Sequence, residues 1–207
     1  MKEKFVYKVI GKLLIALLVL KINALAAQQN LSSVFSKSYA YEYNSDYNKA
    51  ISSLTEAYVD NYQINLRLGW LYYLEKDYQK SEIFYKKAIG EEPSSIEARF
   101  GLVLPLSAQG NWNSVLIFYL EVLKLDPNNS IANYRTASIY FNRKDYTNAS
   151  VYVLKVIKLY PFDYDSNLLL AKVYLAQFKN TEAKKYFLKA LEYNPQSEEA
   201  SLALKKL

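Results

Sequence analysis

The chain has 207 residues, 51% of them hydrophobic, with 26 basic and 20 acidic side chains and neither histidine nor cysteine. That inventory excludes disulfides, a thiol nucleophile and an imidazole base, and it removes the usual ligands of transition metals. The five glycines are scattered, so no glycine-rich phosphate loop exists, and carboxylate pairs such as Glu91-Glu92 and Glu198-Glu199 sit beside turns as solvated charges. The composition points away from an enzyme and calls for no cofactor and no metal.

The first 30 residues follow their own pattern. Lys2, Lys4, Lys8 and Lys12 precede the apolar run Leu13 to Leu20, and Ala24-Leu25-Ala26 follows. A positive start, a short apolar centre and a small-residue ending describe an export signal covering residues 1–26, cleaved after Ala26. Eight uninterrupted apolar residues fall short of the roughly 20 that span a bilayer. An uncleaved N-terminal anchor is the alternative; the expected product is periplasmic or secreted, with no stable membrane insertion. Removing residues 1–26 lowers the net charge from +6 to +2. The basicity therefore belongs mostly to the signal and gives no ground for nucleic-acid binding. Without cysteine, the mature chain has no site for lipid attachment.

After residue 30 the sequence repeats. Pro93, Pro127, Pro161 and Pro195 are spaced 34 residues apart, and between them similar lines recur. They divide residues 27–207 into repeats 31–61, 62–95, 96–129, 130–163 and 164–197, the first shortened by three residues, with a cap at 198–207. One small-residue column runs Ser38, Gly69, Val103, Ala137 and Ala171. A second runs Ala50, Ser81, Val115, Ala149 and Ala183, and a third Ala57, Ala88, Val122, Val156 and Ala190. Small side chains let helices approach closely while larger columns fill the grooves. The large columns are Tyr41, Tyr72, Leu106, Tyr140 and Tyr174, then Leu54, Tyr85, Tyr119, Val153 and Phe187. Ser197 lies outside them and is expected to tolerate alanine.

Turn chemistry agrees with this register. Asp46, Asp77, Asn111 and Asp145 precede Tyr47, Tyr78, Trp112 and Tyr146, where a short polar side chain caps the second helix of each pair. Lys179-Asn180 breaks the pattern and predicts a looser fifth turn. The third repeat carries valine in all three small columns and Pro105 inside its first helix, which predicts a widened pair and a bent helix.

These lines resemble the tetratricopeptide repeat, a 34-residue helix–turn–helix unit, over nearly all the chain after residue 30. The resemblance implies an all-α fold, a right-handed α-solenoid of about five repeats with a short C-terminal capping helix. It also implies a concave groove lined by first helices. Carried over by position, that groove comprises Phe35, Tyr39 and Tyr43, then Leu66, Trp70 and Tyr73, then Phe100 and Leu104. Tyr134 and Phe141 follow from the fourth repeat, and Leu168 and Leu175 from the fifth. Arg67 and Arg135 are placed to hold one acidic group each. Trp70 is expected to face the groove and Trp112 the core. The implied function is a scaffold or assembly factor of the bacterial envelope, binding a protein or peptide through aromatic anchors. The alternatives are a structural module that homo-oligomerises through the same apolar face, or a non-catalytic accessory subunit of an envelope enzyme.

Overall fold

The computed structural model describes residues 31–207 together with Leu18, Val19 and Lys21. Apart from those three, which are helical, the expected export signal and its cleavage point lie outside the described residues. Everything described is helix or turn. Helix α1 covers 31–43, and α2 (Tyr47–Thr55), α3 (Tyr62–Leu74), α4 (Tyr78–Glu91) and α5 (Ile96–Ala108) follow. Next come α6 (Trp112–Leu125), α7 (Ser130–Asn142), α8 (Tyr146–Leu159), α9 (Tyr164–Ala176), α10 (Asn180–Tyr193) and α11 (Glu198–Lys205). Odd-numbered helices through α9 open a repeat, and even-numbered ones close it. The contacts group into two compact units, the first ending at Phe84 and the second running from Tyr85 to Leu207.

Polar caps set the helix starts. Asn61, Ser95, Asn129, Asp163 and Ser197 each accept the backbone N–H three residues on, at α3, α5, α7, α9 and α11. Asp77, Asn111 and Asp145 do the same for α4, α6 and α8. Asp46 makes no such bond and pairs with Lys49 instead. Each first helix ends on a left-handed residue, Ser45, Lys76, Gly110, Lys144 or Phe178, with φ between 59° and 71°. Only Gly110 adopts that backbone without steric cost. The fifth turn keeps this geometry: Lys179 N–H donates to Tyr174 O at 2.9 Å, as Asp145 N–H does to Tyr140 O. Its predicted looseness is absent from the backbone, and only the side-chain cap is lost.

The small columns are the close-approach points. In the second unit, Val103, Val115, Val122, Ala137, Ala149, Val156, Ala171, Ala183 and Ala190 are all buried, and in the first unit so are Ser38, Gly69, Ala50 and Ser81. Ala57, in the shortened repeat, is only half-buried. The Ser81 hydroxyl also donates to Gly69 O at 2.7 Å, tying α4 to α3. Ala137→Leu or Ala171→Leu should therefore destabilise by about 1–3 kcal/mol through overpacking, read from denaturant melts by circular dichroism.

Ser197 does not behave as the sequence register suggested. It is 6% exposed, caps α11 through Ala200 N–H at 3.2 Å, and shares a 2.7 Å hydrogen bond with the Tyr164 hydroxyl. Ser197→Ala is expected to cost about 1 kcal/mol or more, because it strips a helix cap and orphans a partly buried partner.

A further column, Asn65, Arg99, Asn133 and Asn167, is buried and braces the turns between repeats. Asn133 donates to Pro127 O and Asn129 O, and Asn167 donates to Pro161 O and Asp163 O. Asn65 reaches Asp60, and Arg99 reaches Ser95 O. Pro127 and Pro161 thus follow the ends of α6 and α8 while their carbonyls anchor α7 and α9.

Helix α5 stays helical through Pro105, which is buried in a column otherwise filled by Leu71, Ile139 and Val173. The proline forfeits one helical hydrogen bond, and an interior proline costs about 3 kcal/mol relative to alanine. Losing its buried ring offsets only part of that gain. Pro105→Ala is expected to raise the melting temperature. A lower one would mean that the ring's packing outweighs the missing bond.

Candidate functional site

In the first unit the expected groove residues fall into two contacts. Trp70 and Tyr73 pack with ring centres 5.8 Å apart, and Tyr73 meets Tyr78 at 5.9 Å. Phe35 lies 6.4 Å from Tyr39, and Leu66 is half-buried. Tyr43 is 90% exposed. Trp70 is half-buried against the core of this unit, and its indole N–H donates to Glu42 at 2.6 Å. Arg67 is not available to a ligand. It is 7% exposed, ion-paired with Glu42, bonded to Ser38 at 3.3 Å and stacked 3.8 Å from the Tyr39 ring centre.

In the second unit Phe100 packs on Tyr119, and Phe141 packs on Tyr146 at 5.7 Å with Lys172 above its ring. Leu168 departs from the expectation: at 8% exposure it belongs to the core beside Ala171 and Phe187. Leu175 is partly exposed, at 37%.

Leu104 and Arg135, by contrast, line a cleft with a volume of about 800 Å³. Its other walls come from Val103 and Ser107 of α5, Trp112 and Tyr119 of α6, Ile139 of α7, and Arg143 just past the end of α7. Tyr134 and Arg135 border a smaller cleft of about 410 Å³ with Asp163 and Asp165.

The cause of the larger cleft is visible in the repeat register. In the second repeat Tyr73 packs on Tyr78, and in the fourth Phe141 packs on Tyr146. The third-repeat counterparts are Ser107 and Trp112. The serine supplies no ring, and Trp112 is 52% exposed rather than in the core. The expectation for the two tryptophans is therefore reversed. Acrylamide should quench Trp112 more readily than Trp70, measured in the variants Trp70→Phe and Trp112→Phe. Stronger quenching of Trp70 would contradict this packing.

Electrostatics single out the same place. Of the four arginines, Arg67 pairs with Glu42 and Arg99 with Glu121. Arg135 and Arg143 have no carboxylate partner among the described residues. Arg143 donates to Asn113 Oδ1 at 2.7 Å and Trp112 O at 3.2 Å, both neutral acceptors. Burial pushes the Tyr119 phenol above its ordinary range, and the Arg135 charge pulls it the other way. Among the described residues no cluster of acidic groups is fit to hold a metal ion, and no helix is long and apolar enough to cross a membrane.

Two family models, both described as tetratricopeptide repeat, match residues 35–96, 131–163 and 164–197. The chain is a tetratricopeptide repeat protein. No curated protein matches it. Among solved structures, this tetratricopeptide repeat chain is similar to a MamA protein with a TM-score of 0.70 at 19% identity, over 82% of this chain and 94% of that one. A tetratricopeptide repeat protein from Parabacteroides merdae gives 0.74 at 18% identity, over 86% and 72%. A MamA fragment from Desulfovibrio magneticus gives 0.65 at 19%, over 70% and 82%. At these identities the likeness is one of fold. The tetratricopeptide repeat is typically a non-catalytic protein-interaction scaffold.

Proposed function

We propose that this chain is an exported scaffold of the cell envelope that holds an extended segment of a partner protein against the first helices of its repeats. The cleft among α5, α6 and α7 is the observation that carries this reading. It joins a half-exposed tryptophan, apolar walls and two arginines with no ion-pair partner among the described residues, a mixture that suits side chains of another polypeptide. The exposed Tyr39 and the Trp70–Tyr73 pair offer further aromatic contacts on the first unit. Export rests on the pattern of residues 1–26, and the mature chain is expected to begin at Ala27.

Selection of random peptides displayed on phage against the immobilised full chain tests the binding reading. Segments that bind and perturb either tryptophan support it. A chain that selects nothing, or only segments silent at both tryptophans, contradicts it. Export is decided separately by N-terminal sequencing of protein made in a bacterial host, where an intact Met1 in the membrane fraction would overturn it.

A further inference from the structure

The geometry points to a specific ligand chemistry for the third-repeat cleft: an acidic residue flanked by an apolar side chain, within an extended partner segment, its carboxylate held by Arg135 and Arg143. This deepens the proposed function and rests on it. Three independent features converge here. The aromatic pair that closes this space in the second and fourth repeats is missing, because Ser107 stands where Tyr73 and Phe141 stand. Leu104, Ile139 and the exposed face of Trp112 give the opening apolar walls.

The third feature is charge. The two arginines outside the cleft are each ion-paired with a glutamate of this chain, whereas the two lining it have no ion-pair partner among the described residues. Arg143 is oriented by neutral acceptors, which fix the guanidinium without cancelling its charge. A carboxylate arriving there gains charge-assisted hydrogen bonds that the protein does not supply internally. Asp163 and Asp165 border the neighbouring small cleft with Arg135, and Asp163 is already committed to capping Ser166 N–H at 2.8 Å. A basic segment would meet unpaired like charge at Arg143 and is disfavoured. A cleft of about 800 Å³ is within the size range of small-ligand sites, about 300–1,000 Å³, and so has room for a few side chains but not for a folded domain.

The test uses the full chain carrying Trp70→Phe, so that Trp112 alone reports. The probes are three capped tetrapeptides in which leucine and phenylalanine alternate with aspartate, asparagine or lysine. The aspartate peptide is expected to shift Trp112 emission and to bind about tenfold more tightly than the asparagine peptide, with that preference falling as salt rises. Arg143→Gln and Arg135→Gln should each shrink the preference. Ser107→Phe, which restores the ring found in neighbouring repeats, should abolish binding of both peptides. Equal affinity for aspartate and asparagine peptides overturns the acidic assignment. Unchanged binding in Ser107→Phe overturns the location, and should that variant fail to fold, Arg143→Gln decides through the same charge comparison. Selected phage peptides that bind tightly yet perturb Trp70 alone would remove this cleft while leaving the scaffold reading standing.

Discussion

Phe187→Ala is expected to be the most damaging single truncation, costing about 3–5 kcal/mol. The ring is 1% exposed and sits among Leu168, Ala171, Ala183, Ala190 and Ala200, with Tyr174 and Tyr186 packed against the cluster. Those residues come from α9, α10 and α11, so this one side chain joins the last repeat to the terminal helix. The surrounding alanines have little side chain with which to collapse into the void, which favours the upper part of the range. Leu188→Ala is the control: its neighbour in sequence is 47% exposed and should lose far less. Denaturant melts of both variants read the difference, and equal midpoints would mean that the last repeat and α11 are not packed through Phe187.

Gly101→Ala is expected to destabilise although alanine ordinarily improves a helix interior by about 0.5–1 kcal/mol. A Cβ at residue 101 would lie 2.1 Å from Tyr85 Cε1 and 2.6 Å from Cδ1 and Cζ. Tyr85 is 3% exposed, so its ring has no solvent to retreat into. The overpacking cost of about 1–3 kcal/mol outweighs the gain in helix propensity. Gly90→Ala supplies the opposite sign, since a Cβ there meets nothing within 4 Å and should stabilise α4. The pair of variants isolates packing from propensity. If both stabilise, Tyr85 is not seated over Gly101.

This glycine also clarifies the third repeat. Its valines at the small positions suggested a widened helix pair, yet Val103, Val115 and Val122 are nearly or fully buried. Bulk there coexists with the removal of a side chain at Gly101, where Tyr85 closes onto the backbone. No local propensity announces that exchange, because it joins the large column of one repeat to the first helix of the next.

The architecture was legible because the 34-residue period repeats its constraints. Proline stops, polar caps and small columns recur in register, and each repetition reduces the ambiguity of the others. The asparagine column at Asn65, Asn133 and Asn167 was equally periodic, but asparagine carries no obvious packing meaning until its bonds to Pro127 O and Pro161 O are seen. The candidate site was less legible because it arises where the pattern fails. Trp112 occupies a column that is aromatic in the first, second and fourth repeats, which argued for the core. Its burial depends instead on the residue five positions earlier, and Ser107 supplies no ring to cover it. Arg67 and Arg135 share a column and looked equivalent. Glu42 ion-pairs with the first, and the second has no ion-pair partner among the described residues. Column membership fixes where a side chain starts, and the neighbouring columns fix what it meets.

Amide hydrogen exchange of the full chain, with and without the tightest phage-selected segment, shows whether the first helices carry partner binding. Slowed exchange is expected in α5 and α7 and around Trp112 at the start of α6, with little change along the rest of α6, α8 and α10. Protection concentrated on the outer length of α8 and α10, with α5 and α7 unaltered, would contradict it.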